Sequence, residues 1–377
     1  MDVELLTYDA DPDRGGFGAR VHSLIRMFAQ FAHVRVTLTD WFGGIRVPGV
    51  EYTSFPVRDT PLTRLRRLRS YYKTDFPRRP TASPPDLTIV ETLDLWALTD
   101  RTPDIPRILD EHNIYWELLK YDLGSAPFFS TRLGRTAAVR RVLFPRLWRR
   151  AKRFETNAIR AASGTFVTSE VDRALVLQSL PEVAARVHVL PNTVDVDRFP
   201  DFSGAETNQD AVFIGNYAYG PNQDAARFIM DQVAPALPQM RFLLVGGNPS
   251  ALPLARDNVK ATGHVPDLNA VLEHAAVCLA PLAQGSGTRL KILTYLASGK
   301  AVVATSKAVE GLDVRDGVDV LIRDDAPAFR EALKQLSDNP DLRRELGRNG
   351  RRLVEERYHW KVYVDWLRQY ASGLCSG

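Results

Sequence analysis

Three stretches of the chain combine residue types that could bind a phosphate or assist the transfer of a charged group. The first is Gly15-Gly16-Phe17-Gly18, which follows an apolar run and precedes an amphipathic segment expected to form a helix over residues 19–31. N–H groups at a helix N-terminus favour anions, and glycines let the backbone approach a phosphate closely. The spacing is not GxGxxG, so a tight structural turn is the alternative.

The second stretch follows a strand-like run at residues 108–110. That run leads into the polar sequence Asp110-Glu111-His112-Asn113. Open α/β sheets bind their ligands at the carboxyl ends of the strands, so His112 is placed for chemistry. A structural histidine held by hydrogen bonds is the alternative interpretation.

The third stretch, residues 279–300, has the pattern of a strand, a loop of glycine and serine, and a helix beginning near Thr288. Arg289 and Lys291 fall in the first turn of that helix. Cations there oppose the helix dipole unless an anion binds between them and the N–H groups. The pattern therefore predicts a phosphate site, with a solvated helix start as the alternative.

The elements that must position these stretches alternate between short β-type runs and longer helical segments, which is typical of parallel sheets covered by helices. The predicted strands of the first half are residues 3–8, 34–39, 87–91, 108–110, 164–168 and 187–190. Those of the second half are residues 211–215, 242–246, 259–262, 277–280, 301–305 and 320–323. The sequence thus predicts an α/β protein of two doubly wound halves that meet near residue 195.

Composition excludes several classes of protein. The chain has 377 residues, 45% of them hydrophobic, a net charge of +4 and only two cysteines, so a disordered chain, a disulfide framework and a cysteine-based zinc cluster are not expected. No apolar run reaches the roughly 18 to 20 residues of a membrane span, and we expect a cytoplasmic protein. Two Asp-x-Asp pairs, Asp11/Asp13 and Asp195/Asp197, are common in loops, and no bound metal is expected.

Two segments rich in arginine and aromatic residues, 64–73 and 132–153, carry much of the positive charge of the first half. Such a segment could lie on an anionic membrane or contact an acceptor, or it could be a solvated helix face. No nucleic-acid reader motif accompanies the charge, so no nucleic-acid partner is expected.

Read in order, the motifs resemble the retaining nucleotide-sugar glycosyltransferases of the GT-B fold, specifically glycosyltransferase family 4. The motifs that carry the resemblance are the Gly15-Gly16 loop, LDEHN at 109–113, FVTSE at 166–170, PNTVDVDRF at 191–199, FIGNYAYGPNQDAA at 213–226, LLVGGNP at 243–249, TGHVPDL at 262–268, APLAQGSGTRLKIL at 280–293 and AVEGL at 308–312.

The resemblance implies two Rossmann-like doubly wound domains facing across a cleft. Residues 1–195 would bind the acceptor and residues 196–356 the nucleotide diphosphate sugar, while residues 357–377 would return as a helix to the first domain. The reaction would need no metal or other cofactor, because N–H groups and cations would stabilise the leaving diphosphate.

The resemblance also implies site residues. His112, Arg289 and Lys291 would be catalytic. The donor-binding residues would be Gly15, Gly16, Asn216, Gly263, His264, Val265, Gln284, Gly285, Ser286, Gly287, Thr288, Thr294 and Glu310.

The chain departs from the family pattern at two places. The positions of the family's Glu-x7-Glu pair align with Gln284 and Thr294, which can bond hydroxyl groups but carry no charge. The Arg-x4-Lys clamp on the diphosphate is replaced by Asn216 and Pro221, so Arg289 and Lys291 would have to supply the positive charge.

The function that the sequence favours is a retaining glycosyltransferase moving a sugar to a glycan or lipid-linked acceptor. We expect it in the cytoplasm, with a peripheral position at the inner face of the plasma membrane as the alternative. The lost carboxylates motivate an alternative, a non-catalytic binding or scaffolding partner of the same fold. A third hypothesis is an enzyme that epimerises or hydrolyses a nucleotide sugar, with Glu111 or Glu310 as its carboxylate.

Overall fold

The computed structural model describes residues 1–13, 15–38, 44–54, 83–93, 95–96, 99, 104–121, 137–208, 210–253, 256–284 and 289–376. The chain forms two compact units: the first comprises Met1–Pro191 with Tyr363–Gly377, and the second comprises Asn192–Val362. The predicted boundaries at 195/196 and 356/357 differ from these limits by a few residues.

Thirteen strands are present in the described residues. They are β1 (Asp2–Thr7), β2 (His33–Leu38), β3 (Glu51–Ser54), β4 (Leu87–Val90), β5 (Arg107–Glu111), β6 (Gly164–Val167), β7 (Val187–Val189), β8 (Asp210–Ile214), β9 (Arg241–Val245), β10 (Val259–Gly263), β11 (Ala275–Ala280), β12 (Val302–Ala304) and β13 (Leu321–Ile322). Each strand predicted from the sequence is among them.

The α-helices of the described residues are α1 (Gly16–Phe28), α2 (Tyr115–Tyr121), α3 (Ala137–Ala161), α4 (Glu170–Ser179), α5 (Gly220–Phe228), α6 (Leu268–His274), α7 (Leu290–Ala297), α8 (Ser306–Val309), α9 (Ala326–Asp338), α10 (Pro340–Arg357) and α11 (Val364–Ser376). Short 3-10 segments lie at Pro181–Arg186, Val196–Arg198, Ala234–Ala236, Pro249–Ala251 and Trp360–Tyr363, and a π turn lies at Ile229–Val233.

The first unit is built on a seven-stranded sheet in the order β3-β2-β1-β4-β5-β6-β7, with every neighbouring pair parallel. Its central strands β1 and β4 are almost completely buried because their apolar runs are covered by helices on both faces. β3 is an edge strand whose residues are mostly exposed. It lacks an apolar run, which is why the sequence did not predict it.

The second unit is built on a six-stranded parallel sheet in the order β10-β9-β8-β11-β12-β13. Its core is one continuous apolar cluster around β8, β11 and α7, and β11 is buried along its whole length. Several helices begin at a capping side chain: Asp267, Thr305, Asp325 and Asn339 each accept a backbone N–H of α6, α8, α9 and α10 respectively. The predicted α/β class with two doubly wound sheets is confirmed.

Helix α11 packs on the first unit through its aromatic side chains. Trp366 and Tyr370 stack on each other with ring centroids 5.3 Å apart, and both lie against Phe166 of β6 and His188 of β7. These aromatic residues of the carboxyl-terminal segment therefore serve packing. No helix of the described residues is long and apolar enough to cross a membrane.

Candidate functional site

The order of the strands places a topological switch point in each sheet. In the first sheet the order changes direction between β1 and β4, and in the second between β8 and β11. Loops leaving the carboxyl ends of such neighbouring strands diverge to opposite faces of the sheet and leave a crevice where α/β proteins bind ligands. The predicted site residues can be located against these two edges.

A cluster of four charged or titratable side chains lies at the carboxyl edge of the first sheet. His112 follows β5, and its Nε2 is 3.0 Å from Oε2 of Glu91, which follows β4, and 3.2 Å from Oδ2 of Asp110. Arg20 of α1 donates from Nε to Oδ2 of Asp110 at 2.7 Å and from Nη2 to Oδ1 at 2.5 Å. It also donates to the carbonyl of Leu190 at 3.0 Å.

Burial and mutual charge set the protonation of this cluster. Burial, reinforced by the charge of Asp110, raises the pKa of Glu91 to about 7. Burial also opposes ionisation of Asp110, but the charge of Arg20 outweighs it and holds the pKa of that carboxyl well below its usual range. For His112 burial opposes the charged form, and the hydrogen bonds to Asp110 and Glu91 outweigh burial and raise its pKa. The edge thus favours a protonated imidazole beside a permanent Arg20–Asp110 ion pair.

Three of these side chains could also act as metal ligands. The ligand atoms of Glu91, Asp110 and His112 lie within 4.8 Å of one another. Within the part of the chain that the structure describes, no other group of three His, Cys, Asp or Glu residues has its ligand atoms this close together. Asp110, however, already has a guanidinium on both oxygens, so a divalent cation there would be repelled by a neighbouring positive charge. A proton on His112 balances the charges of the cluster better than a metal does.

The glycine loop and His112 come together through Phe17. Helix α1 begins at Gly16, three residues earlier than expected, and Gly15 precedes it with a φ of 134°, which only glycine adopts readily. This entry places Phe17 in the first turn, where its ring stacks on that of His112 with centroids 4.6 Å apart. The two predicted stretches of the first unit therefore lie side by side.

The helix that follows His112 is capped from a distant part of the chain. The completely buried carboxylate of Glu155 in α3 accepts the N–H of Tyr115 at 2.6 Å and the N–H of Trp116 at 2.9 Å. The indole N–H of Trp148, also in α3, donates to the carbonyl of Trp116 at 2.8 Å. Helix α3 thus holds the helix α2, which begins three residues after His112.

At the carboxyl edge of the second sheet, the predicted cations lie at the start of α7. The helix begins at Leu290 rather than near Thr288, so Arg289 is its N-cap residue and Lys291 lies in its first turn. The amine of Lys291 lies 4.3 Å from the centroid of the Phe213 ring and donates to Oδ1 of Asn222 at 2.7 Å. Burial, together with the positive charge of Arg289, lowers the pKa of Lys291 to about 7.

Asn222 joins Lys291 to the loop that follows β8. Its Nδ2 donates to the carbonyl of Asn216 at 2.9 Å, while the side-chain oxygen of Asn216 accepts from the N–H of Ala218 and from Nδ2 of Asn248. A Cβ at Gly246 would lie 2.0 Å from the carbonyl of Gly215, and Gly246 has a φ of 134°, so only glycine fits there. The loops after β8 and β9 are therefore packed closely beside Lys291.

The remaining predicted donor residues are distributed around the same edge. Gly263 ends β10 with a φ of 74°, His264 after it is exposed, and Val265 packs on the core. The amide of Gln284 donates to Oδ2 of Asp224 in α5 at 2.7 Å. Thr294 is half-buried in α7.

Two further predictions concern this edge. Glu310 is an exposed side chain that follows α8 and pairs with Lys307. Gly285, Ser286, Gly287 and Thr288 lie outside the residues that the structure describes.

Sequence reasoning did not single out Arg20, Glu91, Asp110 or Asn222. Asp110 lies two residues before His112 in a motif already noted, and its buried strand position is a signal that could have identified it. Glu91 and Arg20 are separated from His112 by tens of residues, and only the neighbourhood of β1, β4 and β5 in the sheet brings them to it.

The basic segment at 132–153 is described only from residue 137, and the one at 64–73 lies outside the described residues. Arg149, Arg150 and Arg153 of α3 are exposed. Trp148 instead packs on the core, and the amine of Lys152 lies over its ring at 5.4 Å. The exposed part of the helix is therefore cationic rather than aromatic.

Part of the second unit is similar in sequence to a known protein family. Residues 208–339 match the sequence model of the glycosyl transferases group 1 family. The matched residues lie within the second unit and include β8 to β13 with Asn216, Lys291 and Glu310. No curated protein sequence matches the chain significantly.

Solved structures of GT-B glycosyltransferases are similar along the whole chain. Sucrose-phosphate synthase from Thermosynechococcus elongatus is 16% identical with a TM-score of 0.68, covering 100% of this chain and 99% of its own. HepE from Anabaena, solved in complex with UDP-glucose, is 15% identical with a TM-score of 0.67 and coverages of 99% and 100%. WaaG, a glycosyltransferase involved in lipopolysaccharide biosynthesis, is 16% identical with a TM-score of 0.67 and covers 100% of each chain. The chain therefore has the GT-B fold of two Rossmann-like units.

Proposed function

We propose that the protein is a retaining glycosyltransferase of the family 4 type, which transfers a sugar from a nucleotide diphosphate sugar to a glycan or lipid-linked acceptor. The observation that carries the proposal is the position of Lys291, at the switch point of the second sheet and in the first turn of α7. Among the described residues, the hydrogen-bond partner of the Lys291 amine is the neutral amide of Asn222 and not a carboxylate.

A diphosphate would satisfy this edge chemically. The N–H groups at the start of α7, the Lys291 amine and the Arg289 guanidinium are donors with positive charge or partial positive charge. A phosphate brings negative charge and acceptor oxygens, and it would offset the desolvation that lowers the pKa of Lys291. The same donors would stabilise the charge that develops on the leaving nucleoside diphosphate.

The first unit would supply His112 to the donor sugar and surfaces to the acceptor. Because Arg20 already neutralises Asp110, the cluster around His112 works as a proton-holding group, and we propose that the transfer needs no metal. The similarity to HepE, whose structure was solved with UDP-glucose, supports a nucleotide sugar as donor. The similarity to WaaG supports a glycan or lipid-linked acceptor.

Gln284 and Thr294 take the positions of the two family carboxylates under this proposal. Each can bond a sugar or ribose hydroxyl without charge. The side-chain amide of Gln284 donates to Asp224 of the neighbouring helix α5. This hydrogen bond fixes the orientation of the Gln284 side-chain carbonyl oxygen. We therefore expect the donor sugar to bind more weakly than in a site with two carboxylates.

Membrane association, if the acceptor is lipid-linked, would be electrostatic. The exposed Arg149, Arg150 and Arg153 of α3 suit an anionic surface at the cytoplasmic face, whereas Trp148 packs inward and is not available to insert into it. Replacing the three arginines by glutamine should reduce sedimentation with anionic vesicles at low salt.

The deciding experiment is a calorimetric screen of the full chain against UDP, GDP, ADP, dTDP and CMP, each with Mg²⁺ and with EDTA. Binding of one diphosphate with equal affinity in both conditions supports the transferase and names the donor class. Binding that requires Mg²⁺ contradicts the metal-independent mechanism. Absence of binding by all of them favours the alternative, a non-catalytic partner of the same fold.

A further inference from the structure

Glu91 is a buried carboxyl group whose presence at the end of β4 needs a physical reason. Its side chain is completely buried, and its Oε1 has no hydrogen-bond partner among the described residues. Burying a carboxylate without full hydrogen bonding costs several kcal/mol. An apolar residue would fill the end of this strand at less cost, so the carboxyl group calls for a role toward His112, its hydrogen-bond partner in the described part of the chain.

The geometry fixes one nitrogen of His112 and leaves the other available. Nε2 lies 3.0 Å from Glu91 and 3.2 Å from Asp110, so this nitrogen carries a hydrogen directed at the two carboxyls. Phe17 stacks on the ring face and hinders a flip. Nδ1 has no protein partner among the residues described, and the side chain keeps 12% of its exposure.

Charge distinguishes the two carboxyls that face His112. Both carboxylate oxygens of Asp110 accept hydrogen bonds from the guanidinium of Arg20. The negative charge of Asp172 also acts on Arg20. Among the described residues, no arginine or lysine donates a hydrogen bond to Glu91, and Arg20 acts on it through its charge only. Glu91 is therefore the group whose charge is left to balance a proton on the imidazole.

We propose that Glu91 is the positioning residue for His112: it holds Nε2–H inward and keeps the ring protonated, so that Nδ1–H is the donor presented to the substrate. This inference rests on the proposed function and deepens it, because it names which nitrogen acts and in which state. An Nδ1–H donor suits an electron-rich oxygen of a sugar or a diphosphate.

The groups facing His112 from the surrounding elements are Glu91 after β4, Asp110 of β5 and, through Asp110, Arg20 of α1. Above about pH 7, where Glu91 is ionised, the sum of these charges favours imidazolium. Replacing Glu91 by a neutral isostere removes one negative charge at 3.0 Å, and the pKa of His112 should fall as a result.

The test compares Glu91→Gln with Glu91→Asp and with Thr88→Val. Thr88 is a matched control because it is equally buried in β4, the strand that Glu91 follows, and its hydroxyl has no partner in the described part of the chain. Histidine titrations are followed by NMR of the imidazole nitrogens, with His112 assigned by its absence in His112→Gln. This readout requires no substrate.

We expect the pKa of His112 to fall by about one unit or more in Glu91→Gln, to recover in part in Glu91→Asp and to stay unchanged in Thr88→Val. With the donor identified by the nucleotide screen, kcat should fall about tenfold in Glu91→Gln while nucleotide affinity stays the same, and the basic limb of the pH profile should move to lower pH with the His112 pKa.

An unchanged His112 titration in Glu91→Gln would overturn the inference, whatever the chain binds. A shifted titration with unchanged kcat and pH profile would overturn the positioning role while leaving the transferase intact. A shifted titration in a chain that binds no nucleotide would contradict the proposed function and support the coupling of Glu91 to His112. If Glu91→Gln does not fold, Glu91→Asp with the same titration decides the matter.

Discussion

The carboxyl edges of the two sheets differ in how their charges are balanced. In the first unit Arg20, Asp110, Glu91 and His112 balance one another within a buried cluster. In the second unit the Lys291 amine is bonded to a neutral amide at the start of a helix whose dipole it opposes. The first edge is a preorganised group whose charges are already paired without a ligand. The second edge gains stability when an anion binds, which is what a phosphate site requires.

The largest effect that separates the two edges should be on stability. Replacing Arg20 by methionine removes both guanidinium hydrogen bonds from the buried Asp110 carboxylate and leaves it with His112 as its cationic partner in the described part of the chain. We expect the free energy of unfolding of the first unit to fall by about 3–5 kcal/mol. Urea denaturation followed by tryptophan fluorescence measures this loss.

The second unit offers a control of matched geometry. Arg241 makes the same two-pronged contact with Asp210, at 2.6 Å and 2.8 Å, but its own side chain is 64% exposed. Arg241→Met should cost far less stability, because water can reach the pair. Equal losses of stability in the two variants would mean that burial does not determine how much the Arg20–Asp110 pair contributes to the free energy of unfolding.

The next effect concerns turnover. His112→Gln should lower kcat about 100-fold or more, because it removes a proton donor, while nucleotide affinity changes little. His33→Gln, at the exposed amino end of β2, is the control and should leave both quantities unchanged. A matching loss of nucleotide affinity would place His112 in donor binding instead.

The second edge should respond to loss of its cations through affinity. Lys291→Ala and Arg289→Ala should each weaken diphosphate binding by about 1.5–3 kcal/mol if the charged contact is direct. Calorimetry with the nucleotide found in the screen measures this, with Lys334→Ala on the exposed face of α9 as the control. Unchanged affinity in both variants contradicts the phosphate site.

A smaller effect should appear as a pH dependence of that affinity. The pKa of Lys291 is about 7 in the free protein, and a bound phosphate would raise it. Affinity should then be constant below pH 7 and weaken above it, by about tenfold for each pH unit until the raised pKa of the complex is reached. Lys291→Arg should abolish the dependence, because a guanidinium stays charged throughout. Equal pH slopes in the two proteins would show that another group titrates.

Much of the fold could be predicted from the sequence because buried parallel strands are continuous apolar runs. The runs at residues 3–8 and 87–91 correspond to β1 and β4, and the same holds in the second unit for β8 and β11. β3 was missed because an exposed edge strand has no such run. The start of α1 was placed three residues late, because Gly15 and Gly16 resemble a loop although Gly16 begins the helix.

The candidate site was predictable only where its residues are close in sequence. His112, Arg289 and Lys291 lie in motifs that can be recognised along the chain. Glu91 is 21 residues from His112 and Arg20 is 90 residues from Asp110, so only the strand order brings them together. The assignment of roles to the donor-binding residues stays a prediction.

The cap that Glu155 places on α2 has a consequence for how the region around His112 unfolds. A helix of seven residues is far too short to persist by itself in water, so α2 exists only while α3 holds its first two N–H groups. The amide hydrogens of Tyr115 and Trp116 should therefore exchange with solvent together with those around Glu155, as one cooperative unit. The helix next to His112 then unfolds in the same event that opens α3.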